Sequence, residues 1–120
     1  MLAELLVVPN CAHHEGAAEL LRSVLDEAGQ RESQVVTRVI TSEAEAEHYQ
    51  FPGSPTLRLD GVDPVPAPDH HVGLTCRLYR RPDGRMSGVP DHDALVQAVR
   101  DAAAATSTVV GVTSGTSRFP

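Results

Sequence analysis

Two apolar runs frame the first third of the chain. Leu5-Leu6-Val7-Val8, ended by Pro9, reads as a buried strand, and residues 35–40, rich in β-branched side chains, read as a second. Between them Leu20, Leu21, Val24, Leu25 and Ala28 recur at helical spacing, and Gly29 follows as a stop signal. A strand, a crossover helix and a strand leave one economical arrangement. The two strands lie parallel, joined right-handedly, with the helix packed on their sheet.

The remainder extends this plan. Ser42 followed by Glu45 fits a capping box for a short helix that ends before Phe51. Phe51-Pro52-Gly53-Ser54-Pro55 is barred from helix by its two prolines. Thr56-Leu57-Arg58-Leu59-Asp60 alternates as a third strand and closes at Gly61. Residues 62–74 carry Pro64, Pro66, Pro68 and the cluster Asp69-His70-His71, and read as a long loop. Residues 76–80 read as a fourth strand antiparallel to the third, with Cys76 and Leu78 on one face and Tyr79 on the other. Pro82-Asp83-Gly84 is a turn, and Asp91 caps a last helix through Leu95, Val96 and Val99 into an alanine run. From Thr106 the chain is Ser/Thr/Gly-rich and expected to be loose, with Ser107-Thr108-Val109-Val110 able to add a strand to an edge. The expected fold is α/β, a four-stranded mixed sheet with flanking helices in the order β-α-β-α-β-β-α. Residues 1–103 form the domain, and residues 104–120 a flexible or partner-contacting tail.

Composition narrows the chemistry. The 120 residues suffice for one modest core. Ten basic against 16 acidic residues give a net charge of −6, which disfavours non-specific binding to a nucleic acid backbone. Every basic residue is Arg, so Schiff-base chemistry and a phosphate-loop lysine are excluded. Aromatics at 3% leave no stacking platform for single strands. No apolar run approaches the roughly 20 residues of a membrane span. Residues 1–9 lack a basic flank and read as a strand rather than a signal peptide, so the expected compartment is the cytoplasm.

Chemistry points first to Cys11, placed between the first strand and the first helix. At a helix N-terminus, unpaired N–H groups and the positive end of the dipole favour thiolate, the nucleophilic form. Protonated His13 or His14 would add to this, and Glu15 opposes it. The bland alternative is an inert buried cysteine. Cys76 has three readings: a resolving thiol for Cys11, a metal ligand, or a half-buried core cysteine beside Leu78. Cys11, His13, His14, His70, His71 and Cys76 together offer ligands suited to zinc or copper, although Cys-X-X-His alone is a weak signal. Arg77, Arg80, Arg81 and Arg85 read as a solvated hairpin, with an anionic ligand or acidic partner as the minor reading.

The place of Cys11, the stretch Phe51-Pro52-Gly53-Ser54-Pro55-Thr56-Leu57 with Asp60-Gly61, and the motifs Cys76-Arg77-Leu78-Tyr79-Arg80, Asp83-Gly84-Arg85 and Gly88-Val89-Pro90 carry a resemblance. The chain resembles the thioredoxin-like superfamily. Within it, Val8-Pro9-Asn10-Cys11 is similar to the Val-Pro-X-Cys segment of a group of small single-domain bacterial proteins, some labelled alkylmercury-lyase-like. The likeness covers roughly residues 3–102, about one small domain. It implies a thioredoxin fold, a cis Ser54–Pro55 bond, catalytic Cys11 with His13 and His14, and substrate binding at Ser54 and Pro55. The backbone of Ser54 would then pair with an extended thiol substrate. One departure matters. In Cys11-Ala12-His13-His14 a histidine stands where the dithiol motif has its second cysteine, so exchange within that motif is excluded.

The expected function is monothiol redox or thiol transfer by Cys11, with Cys76 as candidate resolving thiol and no cofactor. The expected partner is a thiol or disulfide substrate, protein or small molecule; nucleic acid and membrane are not expected, and a homodimer stays open. One alternative is a soft-metal or organomercurial binder using Cys11, His14 and Cys76. Another is a redox-silent interaction module.

Overall fold

A computed structural model describes residues 1–65 and 71–113, with side chains to residue 105. The elements run β1 (Leu2–Val7), α1 (His14–Glu27), β2 (Gln34–Val39), α2 (Glu43–His48), β3 (Thr56–Leu59), β4 (Tyr79–Arg80), β5 (Met86–Ser87) and α3 (His92–Thr113). The main sheet has the order β2-β1-β3. β1 pairs parallel with β2, as a helical crossover requires, and antiparallel with β3. The class is thus mixed α/β.

Period-two alternation along β1 builds a core on each face. Ala3, Leu5 and Val7 point one way, and the antiparallel register sets Leu57 opposite Leu5 and Leu59 opposite Ala3. Leu21, Val24 and Leu25 of α1 and Leu95, Val96 and Val99 of α3 close over that face. Leu6 points to the other face, where Ile40, Ala46 and Phe51 meet it. α2 on that side is short but well capped. The Ser42 hydroxyl accepts from the Glu45 N–H at 3.1 Å, and the Glu45 carboxylate accepts from the Thr41 N–H at 2.8 Å. α1 stops where expected, with Gly29 in the left-handed region at φ 77°.

Two expectations fail. Among the described residues the main sheet has three strands, not four, because two short returns of the chain stand at the two ends of β3 in place of a full ladder. Val62 folds back on Leu59, and Cys76 forms an isolated parallel bridge with Ser54. Only Tyr79 and Arg80 of the expected fourth strand are extended in a ladder, and they pair with Met86 and Ser87 in a separate two-stranded sheet. At the C-terminal end the helix does not stop before a tail. α3 continues to Thr113, so a boundary at 103 falls inside it and Ser107 to Val110 are helical rather than an edge strand. The alanine run, the best helix formers, carries the helix onward. Residues 114–120 lie outside the described residues. Among the described residues no helix is long and apolar enough to cross a membrane.

α1 and α3 are also joined at their ends. His92, at the start of α3, contacts the Asp93 carboxylate through Nδ1 at 3.0 Å and the Glu27 carboxylate through Nε2. Asp93, then Glu27, raise the His92 pKa above its ordinary value, against partial desolvation. A raised folded pKa stabilises below the unfolded pKa of about 6.5 and ceases to do so as pH rises through the folded value. His92→Ala is therefore expected to lower the urea midpoint more at pH 6 than at pH 9. Equal losses at both values would show that the pair contributes no charge-dependent stability.

Candidate functional site

The site is built where β1 runs out. The Val8 N–H donates to the Ser54 hydroxyl at 3.0 Å, which fastens the end of β1 to the segment preceding β3. The chain then turns through Pro9 and Asn10, with Asn10 in the left-handed region at φ 59°. Cys11 follows, half-buried, packed against the core formed by α1, α3 and the sheet. Val89, from the β5–α3 connection, packs against the same core.

Cys11 does not open α1. The helix begins at His14 with His13 as N-cap, and Cys11 precedes that cap by two residues. The His14 N–H donates to the Cys11 carbonyl at 3.2 Å. Macrodipole effects fall off within the first turn, so the sulfur lies farther from the dipole than its place in the sequence implies. His14 is half-buried in the first turn, and His13 is exposed. The His13 imidazole lies over Gly88, where an added Cβ would overlap its ring. This contact between the cap of α1 and the β5–α3 connection has no local signal in the sequence, where Gly88 enters only through the family resemblance.

The Ser54–Pro55 bond is cis, as expected. Ser54 is buried and its backbone is fully used. Its N–H donates to the Thr75 carbonyl at 2.8 Å, and its carbonyl accepts from the Arg77 N–H at 2.9 Å. The expectation that Ser54 offers these groups to an extended substrate is overturned, because the chain's own segment 75–77 takes that place. Pro55 is buried too, and its carbonyl accepts from the Tyr79 hydroxyl at 2.6 Å.

Arg77 holds this region together. It was read as one of four solvated hairpin arginines, but it is only 7% exposed. Its Nη1 donates to Asp63 Oδ2 at 2.7 Å and to the Thr56 hydroxyl at 3.1 Å, and its Nη2 donates to the Val65 carbonyl. The guanidinium sits 4.5 Å from the Tyr79 ring centroid. Burial pushes the Tyr79 phenol up, with the Arg77 charge opposing. Thr56 in turn donates to the Gly53 carbonyl at 2.6 Å. Gly53 has φ 135°, and a Cβ there would press on Arg77 Cβ at 3.0 Å. A sequence signal existed: Arg77 shares the parity of Tyr79, opposite to Cys76 and Leu78.

Cys76 is exposed, so the reading as a core cysteine beside Leu78 fails; Leu78 is exposed with it. Both cysteines are free thiols. His70 lies outside the described residues, and His71 is exposed. Among the described residues no three His, Cys, Asp or Glu side chains come together as metal ligands, so the set Cys11, His14 and Cys76 is not assembled. Comparison with family models, with curated proteins and with solved structures finds no match.

Removing one partner of a buried ion pair typically costs about 3–5 kcal/mol. Arg77→Ala, which orphans Asp63, Thr56 and the Val65 carbonyl, is expected to destabilise on that scale in urea unfolding. Arg77→Lys keeps the charge but loses the fork and should recover only part of the loss. A loss under about 1 kcal/mol for Arg77→Ala would place the side chain in solvent.

Proposed function

We propose that this chain is a thioredoxin-like monothiol protein in which Cys11 exchanges with the sulfur of a disulfide. One observation carries the reading: Cys11 occupies the β1–α1 connection, half-buried at its mouth, and that connection is fastened through Val8 to the Ser54 hydroxyl beside Pro55. A thiol on a loop held by a rigid sheet is positioned rather than merely exposed. The element order from β1 to β3 and the flanking helices support the thioredoxin-like assignment.

The chemistry balances without a second cysteine in the motif. The Cys11 thiolate attacks one sulfur of a disulfide, forms a mixed disulfide and releases the other half as a thiolate. A small external thiolate then attacks the substrate sulfur of the mixed disulfide, the bond to Cys11 breaks, Cys11 leaves as thiolate, and the substrate half departs in a disulfide with the external thiol. His13, two residues from Cys11 and held over Gly88, is the group assigned here to proton movement, with His14 as its chain neighbour. Ser54 and Pro55 anchor the end of β1 from which the Cys11 loop departs, since the Ser54 hydroxyl holds Val8 and its backbone is already paired.

In a coupled assay with glutathione and a fluorescent mixed-disulfide peptide, Cys11→Ser is expected to lower the turnover rate at least about tenfold, and Cys76→Ser less than about threefold. Full turnover by Cys11→Ser would discard the proposal. Gly88→Ala displaces the His13 ring and should reduce the rate as His13→Ala does, and the double variant should be no slower than either alone. Additive losses would show that Gly88 acts by another route.

A further inference from the structure

The β4–β5 hairpin stands outside the main sheet, and one of its sides is left open. Along residues 76–80 the side chains alternate: Arg77 and Tyr79 turn inward to the buried cluster, while Cys76, Leu78 and Arg80 turn outward. Leu78 is 60% exposed and Met86, the cross-strand neighbour of Arg80, is 51% exposed. Directly opposed residues on an antiparallel pair project to the same face, so Leu78, Arg80 and Met86 share it with Cys76. Leu78 and Met86 are diagonal neighbours across the hairpin, so the two exposed apolar side chains lie on one face beside Arg80.

Charge selects the partner. The chain carries −6 overall, yet this hairpin holds Arg80, Arg81 and Arg85 against Asp83 alone. The Arg85 side chain is 84% exposed and Arg81 45% exposed, each with a long ion pair at 3.9 or 4.0 Å. Pairs of that kind are weak and exchange readily for better-placed carboxylates. Arg80 makes no ion pair among the described residues. A cationic, apolar patch on an acidic molecule attracts acidic segments while the rest of the surface repels them.

We propose that the outer side of the β4–β5 hairpin, with Leu78 and Met86 as apolar anchors, Arg80 as the cationic contact on that face and the charge of Arg81 and Arg85 beside the turn adding to the field, docks an acidic protein segment bearing an apolar residue. Cys76 lies at the end of this row, so a cysteine in the docked segment meets it there. The surface does not depend on Cys11.

Disulfide trapping on a Cys11→Ser background tests it, with Cys76 as the sole thiol. Two peptides are compared, each with one leucine and one cysteine carried as a thionitrobenzoate disulfide, one rich in Glu and one rich in Lys. The Cys76 thiolate attacks the peptide sulfur, the peptide–thionitrobenzoate S–S bond breaks, coloured thionitrobenzoate leaves as thiolate, and the Cys76 proton passes to buffer. At low salt the acidic peptide is expected to react at least about tenfold faster than the basic one. Raising salt to about 0.5 M should collapse the ratio, since screening shortens the reach of exposed charges. Arg80→Glu with Arg85→Glu should invert it, and Leu78→Ser should slow only the acidic peptide; circular dichroism confirms that these exposed positions leave the fold intact. Equal rates for the two peptides, or a faster basic one, would overturn the proposal. So would dimerisation in sedimentation that the arginine reversals abolish without any preference for the acidic peptide; that outcome assigns the face to a second copy of the chain.

Discussion

The buried guanidinium of Arg77 is the constraint on which the rest of the site depends. Taking an ion out of water is costly by several kcal/mol unless its hydrogen-bonding groups are met. Here Asp63, Thr56 and the Val65 carbonyl meet them from one side, and the Tyr79 ring faces the cation from another. To satisfy one side chain, the chain after β3 must return to the sheet and β4 must lie alongside. Segment 75–77 is then drawn against Ser54, and the Tyr79 hydroxyl reaches the Pro55 carbonyl.

From Ser54 the order passes to the thiol. Its hydroxyl takes the Val8 N–H at the last turn before Cys11, so the connection that bears the sulfur inherits its position from a polar cluster and not from apolar packing alone. Cys11 still rests its side chain on the core shared by α1 and α3. The site therefore has two supports of different physical kinds, one directional and one not.

Much of this was legible from the residues. The runs that became β1 and β2, the stripe of α1 and the capping box of α2 all depend on neighbours within a few positions, which is what periodicity reports. The place of Cys11 between β1 and α1 follows from the same patterns. What sequence did not disclose was settled at a distance. Arg77 finds Asp63 fourteen positions earlier, and nothing local marks that acid as its partner. The shared parity of Cys76 and Leu78 is readable, but not that their face turns outward, nor that Val62 would return to Leu59 and segment 75–77 to Ser54. The N-cap fell on His13 and not on Cys11 because no side chain in that turn supplies a cap to fix the start. The alanine run promised helix, and the expectation of a loose tail gave too much weight to the Ser and Thr that follow.

The doubled cover on β3 has a consequence for how copies of this molecule meet. Open rows of amide and carbonyl groups are templates onto which a neighbouring chain can zip, the first step toward cross-β stacking. On the β3 flank Leu59 already spends its outward groups on Val62, and Ser54, just ahead of the strand, spends its own on residues 75–77. The β2 flank carries no such return among the described residues, and there Gln34 and Thr37 face water while Arg38 reaches back to Glu4 and Tyr49. The arrangement that withholds Ser54 from an incoming strand also guards the protein against its own kind.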